Sequence, residues 1–141
     1  MNIKAYKRRP KEATNFKYKE WAKMDIELYG SKIGWYNEVR YIVARDDRGD
    51  VIGDLELKVE AQVAYIDTLI VRADVRKQGV GRELVREAER VAKELKAHKI
   101  YLLTGRNWQS QNFYRSLGYE KTGEQNDHYF HVDFDILTKK I

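Results

Sequence analysis

Apolar and polar positions along the 141 residues change period several times, and those changes outline the elements. Residues 63–71, Val-Ala-Tyr-Ile-Asp-Thr-Leu-Ile-Val, read as a strand. Residues 51–59 alternate, with Val51, Gly53, Leu55, Leu57 and Val59 set against Ile52, Asp54, Glu56 and Lys58. Residues 39–45 are apolar-rich and β-prone, and Asp46-Asp47-Arg48-Gly49-Asp50 is a turn cluster. Short connections make these three strands an antiparallel meander. At 82–97 the period becomes helical. Leu84, Ala88, Val91 and Leu95 step by four, three and four, while Glu83, Glu87, Glu89, Lys93 and Glu94 fill the other faces. His98 reads as a helix-terminal residue. Residues 100–103, Ile-Tyr-Leu-Leu, form a short apolar strand, and the strand–helix–strand unit is expected to be parallel and right-handed.

The two ends follow less regular patterns. Residues 2–8 suggest a short first strand stopped by Pro10, and Thr14 or Asn15 is the expected cap of a helix. In that helix Trp21, Met24 and Leu28 fall at helical spacing and Gly30 can end it, with Trp21 expected in the core. Residues 110–117 predict a second short helix stopped by Gly118. Residues 119–122 resume β character, 123–127 read as a turn, 129–137 as a final strand, and Lys139 and Lys140 as a solvated tail. No repeat or low-complexity linker interrupts the chain, so one domain over 1–141 is expected.

Composition narrows the classes. Hydrophobic residues make up 43%, which suits a globular chain, and no apolar run approaches the length of a membrane span. The first 20 residues lack a signal-peptide apolar segment and cysteine is absent, so a cytoplasmic location without disulfides or thiolate metal sites is the expectation. The net charge of +5 is concentrated at the start, where Lys4, Lys7, Arg8, Arg9, Lys11, Lys17 and Lys19 face only Glu12. That patch reads first as a solvated basic edge and second as a nucleic-acid- or cofactor-steering surface.

The chemistry gathers where the 63–71 strand passes into the helix. Arg76, Lys77, Gln78, Gly79, Val80, Gly81 and Arg82 form a basic turn with two glycines one residue apart. The first N–H groups of a helix lack intrahelical partners, and the helix end carries roughly half a positive charge. Strand, glycine turn and helix start in that order make an anion site. No Gly-Lys-Ser/Thr closes it, so it is not a P-loop. Leu84 stands where a dinucleotide fingerprint needs a third glycine. A second cluster is Asn107, Ser110, Tyr114, Gly118 and Tyr119.

The spacing Arg76-x-x-Gly79-x-Gly81 resembles the acyl-CoA loop of the GNAT superfamily of N-acetyltransferases. The run from Asn107 through Tyr114 to Gly118-Tyr119 resembles that family's second motif, with Ser110 where Ala is common and Trp108-Gln109 as departures. Together the two cover residues 63–119. The resemblance implies an α/β (α+β) fold: a mixed, mostly antiparallel twisted sheet flanked by helices on both faces. It implies direct transfer of an acetyl group from acetyl-CoA to a primary amine. The loop from Arg76 to Arg82 would hold the pyrophosphate, and Asn107 and Tyr114 would add contacts. The backbone of Leu69, Ile70 and Val71, on a strand that splays from 100–103, would pair with the pantetheine arm. Tyr114 would protonate the leaving thiolate. Asp67, interrupting an apolar strand, would be the base through water, with Glu56 as competitor. Asp127 and His128 would line the acceptor pocket. His128 and His131 with nearby Asp133 and Asp135 make a poor metal set, so no metal is expected. The acceptor would be a small-molecule or protein amine, a homodimer is compatible with the family, and no membrane partner is implied. A non-catalytic acyl-CoA sensor is the alternative, and a nucleic-acid-binding module the weakest reading.

Overall fold

The computed structural model describes residues 1–141 and divides into two compact units, Met1–Trp35 and Tyr36–Ile141. The first unit is one long helix, α1 (Lys11–Tyr29), with irregular chain before and after it. Pro10 occupies the N-cap position, where a missing N–H costs nothing, so the helix begins ahead of the expected Thr14 or Asn15 cap. The Thr14 hydroxyl instead donates to the Pro10 carbonyl at 3.4 Å. Gly30 ends the helix as expected, in the left-handed region (φ 75°), its N–H bonded to the Ile26 carbonyl. Residues 2–8 are not a strand; none of their backbone groups joins a ladder. Trp21 is not a core residue either. Trp21, Met24 and Leu28 are exposed together with Phe16, Tyr18 and Ile26. These positions fall all around the helix rather than along one stripe, so no single face can bury them. The Trp35 indole N–H donates to Asp25 within this unit.

The second unit is a six-stranded, mostly antiparallel sheet flanked by helices. Its elements are β1 (Asn37–Arg45), β2 (Val51–Glu60), β3 (Val63–Val71), α2 (Val80–Glu94), β4 (Lys99–Gly105), α3 (Ser110–Ser116), β5 (Glu120–Gln125) and β6 (Phe134–Lys140). Strand order is β1-β2-β3-β4-β6-β5. Only β3 and β4 pair in parallel; α2 supplies the crossover. The expected meander, the crossover helix and the 63–71 strand all form. Alternation in β2 sends Leu55, Leu57 and Val59 inward, where they meet Ala64 and Ile66 of β3 and Leu84, Val85 and Ala88 of α2 in one core. Burying each such aliphatic side chain is worth about 1.5–3 kcal/mol. Gly53 is closely fitted here: a Cβ would stand 2.8 Å from a Leu84 methyl, which would have to shift.

The end of the chain departs from the pattern-based reading. Gly123 to Gln125 belong to β5 rather than to a turn, and Tyr129 to His131 form a 3₁₀ turn rather than the start of a strand. The last strand begins only at Phe134 and runs through Lys139 and Lys140, which pair with Ile100 and Lys99. Lys139 is no solvated tail: its ammonium lies 2.9 Å from Glu89 of α2. A tertiary contact sets these boundaries. Arg106, just after β4, donates to Asp135 (2.9 Å), Asp133 (3.3 Å) and Asn126 (2.6 Å), pinning both feet of the intervening loop.

Candidate active site

The sheet opens between β3 and β4. Val63, Ala64 and Tyr65 pair with Lys99, Ile100 and Tyr101, and there the parallel ladder stops. Beyond it β3 pairs only with β2, and β4 only with β6. The cause lies in β3. The register slips between Glu56 and Leu57 of β2, whose partners are Thr68 and Ile66, leaving Asp67 as the extra residue of a β-bulge. A bulge bends its strand and strengthens its twist, which swings the Leu69–Ile70–Val71 segment away from Leu102 to Gly105. Two strand edges that no longer pair with each other then face one gap, which suits an amide-bearing ligand arm.

The anion loop lies at the end of the same strand. Lys77 and Gly79 take left-handed conformations (φ 63° and 93°), and the first backbone bond of α2 runs from the Glu83 N–H to the Gly79 carbonyl. None of the amides from Arg76 through Arg82 donates to a protein acceptor. A run of free N–H groups at a helix start is an anion cradle. Arg76 is tied back, its Nε donating to the Val71 carbonyl at 3.1 Å. The two glycines serve different ends. A Cβ on Gly79 would enter open space, so this position needs glycine for its φ and its bare approach. A Cβ on Gly81 would come within 3.3 Å of the Phe113 ring and 3.6 Å of a Val71 methyl. Gly81 is therefore the point where the end of β3, the start of α2 and α3 meet.

Tyr114 follows Phe113 on α3. Its ring is buried in the core against Phe113 and Tyr119, at centroid distances of 4.9 and 5.6 Å. Its hydroxyl has no protein partner, and no fully buried side-chain polar atom in the protein is unpartnered, so the phenol oxygen opens outward. Burial pushes the phenol up to about 12. The short helix is fixed at its start: the Thr104 and Ser110 hydroxyls share a hydrogen bond, and Gln111 Nε2 donates to the Gly105 carbonyl and to Asp135, each at 3.2 Å. Asn107 sits on the exposed turn before it, with no hydrogen bond from its side chain to the protein. Trp108 lies over Gly105, where any Cβ would strike the indole at 2.3 Å.

Asp67 is exposed and paired with Lys58 at 2.7 Å; Glu56 lies 3.7 Å from the same ammonium. The hydrogen bond to Asp67 holds Lys58 above the usual lysine range. Tyr65, beside this group, stacks at 4.8 Å on Tyr101 and is pushed up, by burial first and then by the Asp67 charge. The His131 imidazole lies 2.7 Å from Asp127 on the exposed 3₁₀ loop, and His128 packs on Tyr129 and Phe134.

A model described as the Acetyltransferase (GNAT) family matches residues 8–119. The chain belongs to the GNAT acetyltransferase family. No curated protein matches the sequence. Among solved structures, an acetyltransferase from Bacillus cereus ATCC 14579 superposes with a TM-score of 0.73 at 22% identity, over 98% of both chains. A GNAT family acetyltransferase from Elizabethkingia anophelis, solved with acetyl-CoA bound, gives 0.66 at 19% identity over 70% of this chain and 74% of its own. Chaetomium thermophilum Naa20, in complex with a bisubstrate analogue, gives 0.65 at 24% over 70% and 64%. Likenesses at these identities establish the GNAT fold.

Two features of this region carry no motif. Phe113 packs against Gly81 and so explains the second loop glycine. Arg106, Gln111 and Asp135 form a polar brace between β4, β6 and α3. Burial of Asp135 alone would raise its carboxyl, but the bonds from Arg106 and Lys121 prevail and hold it below the usual range. The available signal was a lone carboxylate inside the apolar Phe134-Asp-Ile-Leu137 run.

Proposed function

We propose that the chain is an N-acetyltransferase that moves an acetyl group from acetyl-CoA to a primary amine by direct attack in a ternary complex. One observation carries the reading: Gly81 joins the free amides from Arg76 to Arg82 to the Val71 end of the β3 edge and to Phe113, whose ring packs on that of Tyr114. The family match begins at residue 8 and includes α1, which supports treating the chain as one acetyltransferase domain. The cradle amides, with Gln78, Lys77 and Arg82 around them, would hold the pyrophosphate, and the edge at Leu69, Ile70 and Val71 the pantetheine amides. Asn107 is free to add a contact.

In the reaction an amine nitrogen attacks the thioester carbonyl carbon, the C–S bond breaks and the sulfur leaves as thiolate. An alkyl ammonium must first lose a proton, which costs about 4.6 kcal/mol at pH 7. Asp67, bulged out of the ladder, would take it through water, with Lys58 orienting the carboxylate and Glu56 the competing acceptor. Tyr114 would face the sulfur. From a phenol near 12 to a thiolate near 8.5, full transfer is uphill by about 5 kcal/mol. The phenol therefore acts chiefly as a hydrogen-bond donor to the developing thiolate and remains protonated across the working range. A non-catalytic acyl-CoA binder is the second reading, favoured by the ion pair that already occupies Asp67. Thiol release from acetyl-CoA across a broad amine panel decides between them. Turnover with any amine supports the enzyme; tight binding of acetyl-CoA with no turnover supports the binder; no binding defeats both.

A further inference from the structure

On one face of the sheet the β3–β4 gap is bordered by aromatic rings. At its closed end Tyr65 and Tyr101, partners in the last rung of the parallel ladder, stack at 4.8 Å. Side chains alternate along a strand, so Tyr101 shares its face with Gly105, and Gly105 pairs with Phe134 of β6. Trp108 covers Gly105 on that face and meets the Phe134 ring edge-on at 5.3 Å. Tyr129, from the 3₁₀ loop, meets the same ring at 5.4 Å and packs on His128 at 4.1 Å. Tyr129 also helps to raise the Tyr65 phenol, which puts the two near one another. Phe134 is buried, whereas Trp108 and Tyr129 are 52% and 57% exposed. Tyr114 stands on the other face, in the α2 core with Ile100 and Leu102.

The loop that carries Tyr129 is strained and held in place. Asp127, Phe130 and His131 adopt left-handed conformations (φ 49°, 51° and 64°), which side chains other than glycine avoid. Arg106 ties both feet of the loop, the Asp127 N–H donates to Asp133 at 2.8 Å, and the His128 N–H donates to the Val132 carbonyl at 2.9 Å. Tyr129 is thus fixed before any ligand arrives, which lowers the ordering cost of binding. Lys58 lies opposite Tyr65 in the β2–β3 ladder, so it shares the face of the rings. Glu56 and Asp67 both pair with this one ammonium, which leaves one negative charge in excess. Rings on one side and a surplus carboxylate on the other complement a cation carried on an aromatic body.

We propose that the acceptor is an arylalkylamine, its ammonium held by Asp67 and Glu56 and its ring lying against Tyr129 and Trp108. The assignment rests on the acetyl-transfer reading of the site and narrows its acceptor. The nitrogen bonds the acetyl carbon as the C–S bond breaks. Of the two protons the ammonium gives up, one ends on the CoA sulfur and the other passes through Asp67 to solvent, leaving an N-acetyl arylalkylamide and free thiol.

The probes are 2-phenylethylamine, its ring-saturated analogue 2-cyclohexylethylamine, butylamine and spermidine, read by thiol release from acetyl-CoA. The two ring compounds bury similar areas, so contacts between aromatic rings separate them; kcat/KM for 2-phenylethylamine should be about three- to tenfold higher. It should exceed that for butylamine and spermidine by at least about tenfold, since neither carries a ring to bury. Tyr129→Ala should raise the KM for 2-phenylethylamine by about tenfold and bring the two ring compounds within about twofold of each other. Tyr129→Phe keeps the ring and should keep the preference. Acetyl-CoA affinity by calorimetry and the thermal melt show that each variant is folded, and Trp108→Leu serves the same purpose where Tyr129→Ala is unstable. Equal rates for the two ring compounds, a preference for butylamine or spermidine, or an aryl preference that survives loss of the ring overturns the assignment and leaves acetyl transfer standing. Acetyl-CoA bound with no thiol released for these probes or any wider amine panel overturns acetyl transfer itself, and the aryl acceptor with it.

Discussion

Replacing Tyr114 by Phe removes one oxygen and little else, which makes it the sharpest probe of the catalytic reading. The ring contacts with Phe113 and Tyr119 survive, and the hydroxyl leaves no protein group unpaired because it bonds none. Stability is therefore expected to stay within about 0.5 kcal/mol, a melting shift of roughly 2 °C or less. The chemical step should suffer much more. A hydrogen bond to a charged group is worth about 1.5–3 kcal/mol, so losing the donor to a developing thiolate lowers kcat by about 10- to 150-fold. KM for acetyl-CoA should hardly move, since the thioester sulfur carries little charge before the bond breaks. The phenol stays protonated below about pH 12, so the variant's pH profile between pH 6 and 10 should keep its shape and drop uniformly. Continuous thiol-release kinetics from pH 6 to 10 with a thermal melt on the same samples read all three quantities. A kcat within twofold of wild type, with the melt unchanged, refutes the role of Tyr114. A melt lowered by many degrees refutes the claim that the hydroxyl is uncommitted.

Three further outcomes are expected. Gly79→Val forces a branched side chain into φ 93° and puts it in the open approach to the cradle; calorimetry should find acetyl-CoA affinity reduced at least tenfold and stability lowered by about 1–3 kcal/mol. Asp67→Asn should lower kcat/KM by about a hundredfold or more in steady-state thiol release, whereas Glu56→Gln should stay within a few-fold of wild type; the reverse would pass the base role to Glu56. Asp135→Asn breaks the brace with Arg106, Gln111 and Lys121 and should cost about 3 kcal/mol in urea unfolding at pH 7. Asp135 is held below its unfolded value, so its contribution is complete above about pH 4 and fades as pH falls further; the wild-type and variant curves should converge there, and a constant gap down to pH 2 would contradict the assignment.

Much of this protein was written in short, contiguous signals. Alternation in β2, the 63–71 strand, the stripe on α2 and the glycine stop at Gly118 each depend on neighbours a few residues apart. The loop from Arg76 to Gly81 and the spacing from Asn107 to Tyr114 are equally local, and they carry the resemblance to the GNAT family. Long-range contacts decided the rest. No local signal marks the register slip that ejects Asp67 and opens the sheet, because it depends on how β2 meets β3. The Arg106 brace that delays the last strand to Phe134 joins residues 29 apart. The Phe113 ring that demands Gly81 arrives from another helix. The partners of Asp67 and Lys139 and the exposure of Trp21 follow from which faces found neighbours. Backbone periodicity is a property of a segment, whereas register, burial and charge pairing are properties of the assembled sheet.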